Sequence, residues 1–397
     1  MTGSPPFSQG NLVTLENWQL PPFNRWAFQH VRELIPTARI ARGAGPAWDL
    51  PRDETDLGGI RVATEHFGDL TVDEVLAQTY TDGFLVINQG AIVAERYFNG
   101  LRPDVPHLIM SVSKSVTGLI AGALASERLL DVTAPVEAIV PELAGTAFAG
   151  ALVQDLLDMR AGIRFREDYD DPEAEIALSD QVYGWRPGDG KPRPAAAHEY
   201  FASLAGDGPH GAEFRYRSIL TDVLAWVLEK AGQARFADLA TELLWQPAGA
   251  EFDADITVDA HGNALADGGI SATLRDVGRL GLLALDRGRA NGRQVIATSW
   301  FDDTVRGAPD GPSAFSGGDG AAGYPDGAHY RNGWWVTWPA LPAFTATGIH
   351  GQSVFVHGPS QTVVVKLSSW PTTLSDPLRG ATVAAVTAIT RELGGWQ

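Results

Sequence analysis

The stretch Met110-Ser111-Val112-Ser113-Lys114-Ser115 leads into the apolar run Val116 to Ala125 and holds one of only four lysines in this 397-residue chain. The run has helical composition, and residues three apart on a helix share a face, so the Ser111 hydroxyl and the Lys114 ammonium can meet. A hydroxyl beside a desolvated amine is an activated nucleophile. Serine is a common residue, so the tetrad by itself is a weak signal. The bland alternative is that Ser111 caps a core helix while Lys114 snorkels its ammonium out to water.

Strand patterns lie on both sides of this segment. Upstream, Thr71-Val72-Asp73-Glu74 is a capping box opening a short helix, and Phe84-Leu85-Val86-Ile87, a turn at Asn88-Gln89-Gly90 and Ala91 to Tyr97 read as an antiparallel hairpin. Residues 42–59, with four glycines and two prolines, read as a surface connection. From Ser111 to about Leu285 the pattern is mostly helical, including Asp155 to Arg160, Asp222 to Lys230 and Thr273 to Leu285. Strand-like runs return at Trp334 to Trp338, Ser353 to Val356 and Thr362 to Leu367, and Leu378 to Leu393 closes as a helix. Strands at both ends enclosing helices imply one sheet with a helical insertion, an α+β chain. The Gly, Asp and Pro-rich segment Gly307 to Gly327 is expected to be a surface loop.

Composition narrows the function classes. A 44% apolar content with 9% aromatics supplies a sizeable core. The net charge of −18 argues against nucleic acid or an anionic membrane surface as partner. No run of about 18 apolar residues offers a membrane span. The start Met1-Thr2-Gly3-Ser4-Pro5-Pro6 does not read as a secretory leader, so a cytoplasmic location is expected. There is no cysteine, and the nine histidines show no close ligand spacing, His107 and His210 being remote from each other. No metal and no cofactor are expected.

Three stretches occur in order: Ser111-Val112-Ser113-Lys114, Tyr216-Arg217-Ser218 and Ala346-Thr347-Gly348-Ile349. They resemble the Ser-x-x-Lys, Tyr-x-Asn/Ser and Lys-Thr-Gly motifs of the serine β-lactamase and penicillin-binding-protein superfamily. Leu156 to Gly162 and Gly268 to Asp276 are similar to further stretches of it. Within that superfamily the chain resembles the 6-aminohexanoate-dimer hydrolases, or nylon-oligomer hydrolases. The likeness is carried by Pro21 to Phe28, Met110 to Ser115, Glu167-Asp168-Tyr169, Thr221 to Trp226, Gly348 to Gln352 and Val365 to Pro371.

The resemblance implies a β-lactamase-like fold, an antiparallel sheet flanked by helices with an inserted all-helical subdomain. The whole chain, 1–397, is then one catalytic unit, with a sheet part at 1–105 and 285–397 and a helical part at 106–284. It implies amide hydrolysis through an acyl-enzyme. Ser111 is the nucleophile, Lys114 and Tyr216 move its proton to the leaving amine, and the backbone N–H groups of Ser111 and Ile349 hold the oxyanion. Residues 167–194 are then a lid, in which Tyr169 matches the tyrosine that bonds the scissile nitrogen and Asp180 the carboxylate that holds the substrate ammonium. Asp267 stands where the family has an uncharged Asn, and Arg217 is another unfamiliar occupant. Trp185, with Trp334 and Trp335, is a candidate apolar slot for a methylene chain.

Ala346 replaces the Lys of the third motif, which puts penicillin recognition and cell-wall peptide trimming in doubt. The expected partner is a small linear amide or ester, and a homodimer is left open. The alternatives are a carboxylesterase on short-chain esters, a D-alanyl carboxypeptidase or β-lactamase, and a binding module that kept the fold without the chemistry.

Overall fold

The protein is described here from a computed structural model covering residues 9–319, 324–338 and 343–394. Seven antiparallel strands form its main sheet, in the spatial order His329–Arg331, Trp334–Trp338, Ala343–Gly348, Gln352–His357, Thr362–Ser368, Thr81–Asn88 and Ala91–Tyr97. The last strand of the chain thus pairs with the early hairpin, Val364 opposite Val86 and Lys366 opposite Phe84, and joins the two ends into one sheet.

Period-two alternation decides which side chain faces which layer. Leu85, Ile87, Val363, Val365 and Leu367 enter the larger apolar cluster, whereas Phe84, Val86 and Val364 enter a second one. The helix Asp376–Glu392 covers that second face through Ala381, Ala385, Val386 and Ile389. On the opposite face lies the helix Leu274–Leu285, capped by Thr273, whose hydroxyl accepts the Asp276 N–H. Glycines at 278 and 281 let this helix approach closely: a side-chain carbon at either would overlap Leu85 or Val363. Overpacking of this kind costs about 1–3 kcal/mol.

A smaller sheet orders Thr37–Ile40, Ala254–Thr257, Ile270–Ala272 and His107–Leu108. It brings residues 109–110, just before the Ser-x-x-Lys segment, beside Ile270, whose carbonyl accepts the Ile109 N–H at 2.9 Å. Behind the segment runs the helix Val112–Ser126, buried from Val112 to Leu124. It packs on the helix Ile219–Gly232, which also meets Val153–Leu157. Gly118 lies against the carbonyl of Asn332, and the Ser115 hydroxyl donates to Gly333 O at 2.6 Å, locking the helix to the turn before Trp334.

Two stretches differ from their sequence readings: the part 106–284, expected to be helical, also holds the short strands His107–Leu108, Ala254–Thr257 and Ile270–Ala272 of the smaller sheet, and the Gly-rich segment is not all loop. The described part of the Gly-rich segment holds a helix, Gly311–Ser316, because Phe315 is buried among Phe214, Tyr324 and Trp335.

Candidate active site

Ser111 occupies the cap position of the helix Val112–Ser126, yet its side chain makes no capping hydrogen bond. Met110 before it sits at φ 49°, a left-handed conformation that a non-glycine residue holds only when its surroundings enforce it. One turn in, Lys114 is 2% exposed, so its ammonium does not snorkel to water. Its Nζ lies 2.9 Å from Ser111 Oγ and donates to the Asp267 carbonyl at 2.9 Å, with Asp267 Oδ2 at 3.6 Å. Neither half of the bland reading of the tetrad survives this geometry.

Tyr216 precedes the helix Ile219–Gly232 and brings its ring to 5.2 Å from Lys114 Nζ. The ring stacks on Trp335, with centroids 5.5 Å apart and planes inclined by 20°. Burial pushes the phenol well above its ordinary range, the Glu167 carboxylate adds to that, and a hydrogen bond from Ser111 works against it. At neutral pH Tyr216 is a protonated phenol beside Ser111 and Lys114.

Ile349 follows the strand Ala343–Gly348, and Gly348 is what lets that strand close on the serine. A side-chain carbon at 348 would stand 2.9 Å from Met110 Cβ and 3.0 Å from Ser111 N. Ser111 and Ile349 then border one pocket of about 30 Å³, together with Tyr169, Asp180, Trp185, Ser218, Asp267 and Gly268. A cleft of about 1150 Å³ adjoins it, sharing Gln19, Tyr169 and Trp185 as walls. The structure thus brings together eight of the residues singled out in the sequence, six along the pocket wall and two, Lys114 and Tyr216, behind Ser111.

Their partners add what the sequence did not supply. Asp180, on the helix Glu175–Val182 within the lid stretch, accepts from Arg186 Nε at 2.7 Å. Burial raises the Asp180 carboxyl to about 6, against the pull of Arg186. Tyr169 donates to Glu167 Oε2 at 3.3 Å, and the other Glu167 oxygen accepts the backbone N–H of Ser218. Glu167 therefore ties the lid tyrosine to the Tyr-x-Ser motif. Burial raises its carboxyl, while Lys114 and the Ser218 N–H oppose that rise. Asp267 donates its N–H to Asp222 Oδ1 at 3.0 Å, and burial beside Asp267 pushes Asp222 well up. Trp185 is fixed by its Nε1 donating to Thr257 Oγ1 at 3.1 Å and by Trp18, edge-on at 4.9 Å.

Three expected contributors lie elsewhere. Arg217 turns away from the pocket, donating to Ala161 O and Asp207 Oδ2, each at 3.1 Å. Trp334 is buried edge-on against Phe344, and Trp335, its neighbour on the same strand, backs Tyr216 instead of lining the pocket. Adjacent strand residues face opposite sides, so both could not have joined Trp185. Among the described residues, no group of three or more His, Asp or Glu side chains is arranged to hold a metal, and no helix is long and apolar enough to cross a membrane.

With this geometry in hand, comparison with known proteins is direct. The β-lactamase family model matches residues 69–389. The chain is 40% identical over 361 residues to a 6-aminohexanoate-dimer hydrolase of Paenarthrobacter ureafaciens, covering 90% of this chain and 88% of the relative. A Bacillus anthracis structure provisionally assigned as a 6-aminohexanoate-dimer hydrolase superposes with a TM-score of 0.88 at 27% identity, covering 97% of this chain and 98% of that one. A family VIII carboxylesterase shares the fold, with a TM-score of 0.61 at 16% identity over 80% of this chain and 96% of its own. The expected β-lactamase-like architecture is the one observed, and the chain belongs to the β-lactamase family, among its 6-aminohexanoate-dimer hydrolases.

Proposed function

We propose that this protein hydrolyses linear amides of the 6-aminohexanoate oligomer type through an acyl-enzyme on Ser111. The observation that carries the reading is the convergence of three groups from two distant parts of the chain: Lys114 Nζ lies 2.9 Å from Ser111 Oγ and 5.2 Å from the centre of the Tyr216 ring. Ser111 attacks the carbonyl as its proton passes to Lys114, acting as a free amine, and Tyr216, a protonated phenol, delivers its proton to the departing amine and regains one from Lys114. The backbone N–H groups of Ser111 and Ile349 receive the oxyanion. Water then releases the acid. Tyr169 exchanges its bond to Glu167 for the scissile nitrogen, and Asp180 takes the substrate ammonium, sharing its charge with Arg186 or displacing it. Asp267, through its carbonyl and carboxylate, holds Lys114. Side-by-side turnover of the linear dimer, a short-chain ester and a penicillin tests the assignment. Release of 6-aminohexanoate is expected, with no penicillin turnover; a penicillinase without amidase activity would sink it.

A pH series separates the Asp180 role. A carboxyl near 6 is mostly protonated at pH 5 and ionised at pH 7.5, while the substrate ammonium stays charged throughout. The KM for the dimer is expected to fall about tenfold between these pH values, and Asp180→Asn to remove that limb. Identical KM profiles for both enzymes would discard the assigned contact.

An esterase reading also has a specific observation behind it. The pocket beside Ser111 is small, about 30 Å³, and Arg186 already neutralises Asp180, which suits a short uncharged acyl group. A cytoplasmic location is part of the proposal, for cell fractionation to decide, and the homodimer stays open for light scattering.

A further inference from the structure

Both backbone donors assigned to the oxyanion are flanked by strained residues: Met110 at φ 49° precedes Ser111, and His350 at φ 58° follows Ile349. A non-glycine residue stays in that region only when several contacts overdetermine it. The contacts at His350 are explicit. Its N–H donates to Thr373 O at 2.9 Å, its carbonyl accepts the Trp370 N–H at 3.2 Å, and its Nδ1 lies 2.9 Å from Trp370 O. Gly351, at φ 89°, leaves room for the Trp370 indole, which a side chain would overlap.

The remaining contact comes from Gln352, 1% exposed at the start of the strand Gln352–His357. Its Nε2 donates to Ser368 O at 2.6 Å and also faces the carbonyls of Ile349 at 3.4 Å and His350 at 3.2 Å. Its Oε1 accepts the Ser368 N–H at 3.1 Å. One amide thus joins the turn Ile349–Gly351 to the end of the neighbouring strand from both sides. The anchor is itself fixed, because the buried Lys366 ammonium donates to the Ser368 hydroxyl and, at 3.2 Å, to Thr79 O. Trp370 Nε1 donates to the same Thr79 carbonyl at 2.9 Å.

We propose that Gln352 is a positioning residue for the reaction: its side-chain amide staples the Ile349–Gly351 turn to Ser368 and so fixes where the Ile349 N–H points. This rests on the acyl-enzyme reading, in which that N–H meets the oxyanion. An oxyanion donor works only when aimed at the position the charged oxygen reaches in the transition state, so a small rotation of the turn costs rate more than substrate binding. An apolar residue at 352 would leave the Ser368 N–H without its acceptor and the turn carbonyls without their shared donor.

The test uses Gln352→Met, which keeps the shape without the amide, and Gln352→Asn, which keeps the amide but falls short of the carbonyls. Four quantities are measured in each: kcat and KM on the linear amide, affinity for a boronic acid analogue of 6-aminohexanoate that forms a tetrahedral adduct, and affinity for 6-aminohexanoate itself. Expected are a kcat lowered about 10- to 100-fold, boronate affinity lowered by a similar factor, and KM and product affinity within about threefold of wild type. Wild-type kcat in either folded variant overturns the inference. So does a parallel loss of boronate and product affinity, the mark of a loosened pocket. Failure of both variants to fold overturns it too, since Gln352 would then serve the fold and not the donor. If the wild-type enzyme turns over neither amide nor ester, the acyl-enzyme reading itself has failed, and this inference falls with it.

Discussion

Replacing Ser111 by alanine lowers kcat on amide and ester alike by about ten-thousand-fold or more, with the fold left intact. The size of the loss follows from chemistry: without the hydroxyl no acyl-enzyme forms, and what remains is binding plus the oxyanion donors. The intact fold follows from geometry. Ser111 contributes no capping bond to its helix, and among the described residues its hydroxyl is hydrogen-bonded by Lys114 Nζ, so the stability change stays within about 1 kcal/mol. Steady-state rates and a thermal melt of the variant check both halves. Turnover above about one percent of wild type would assign the nucleophile elsewhere.

Lys114→Met carries the second large effect, a kcat lowered about a thousand-fold or more with KM little changed. Lys114 is enclosed, and its amino nitrogen contacts the serine oxygen and the Asp267 carbonyl, with the Asp267 carboxylate at 3.6 Å. Methionine fills similar volume and offers no proton acceptor. The rate at which a fluorophosphonate labels Ser111 is expected to fall in step with kcat, because the same deprotonation limits both. Labelling at the wild-type rate would mean that the serine is activated by some other group. The variant also leaves the Asp267 carbonyl without its Lys114 donor, so a lowered melting temperature is expected beside the kinetic loss.

The difference between what the sequence shows and what it hides is physical. Ser111 and Lys114 are legible because helix periodicity alone puts them on one face. Tyr216 and Ile349 are legible only as members of ordered motifs, since nothing local distinguishes a reactive phenol from a core tyrosine. The smaller sheet is hidden because its strands are short, His107–Leu108 and Ile270–Ala272 among them, too brief for alternation to register.

Partnership within the site is hidden for another reason. Asp180 and Arg186 are six residues apart across a helix end, and Glu167 lies in an acidic stretch where most carboxylates, Asp168 and Asp170 among them, are exposed. Its bonds to Tyr169 and to the Ser218 N–H depend on the lid folding back onto the helix Ile219–Gly232. Arg217 misleads in the opposite direction. Its place inside the Tyr-x-Ser motif suggests a pocket residue, yet the pairing with Asp207 draws it outward.

The account depends on a covalent acyl-serine, and that intermediate can be observed. Wild-type enzyme mixed with the linear amide dimer, quenched in acid within the first turnover and digested, yields peptides for mass spectrometry. The account predicts a 6-aminohexanoyl group on the peptide containing Ser111, absent from Ser111→Ala. Amide turnover with that peptide unmodified, or with the acyl group on another residue, would contradict it.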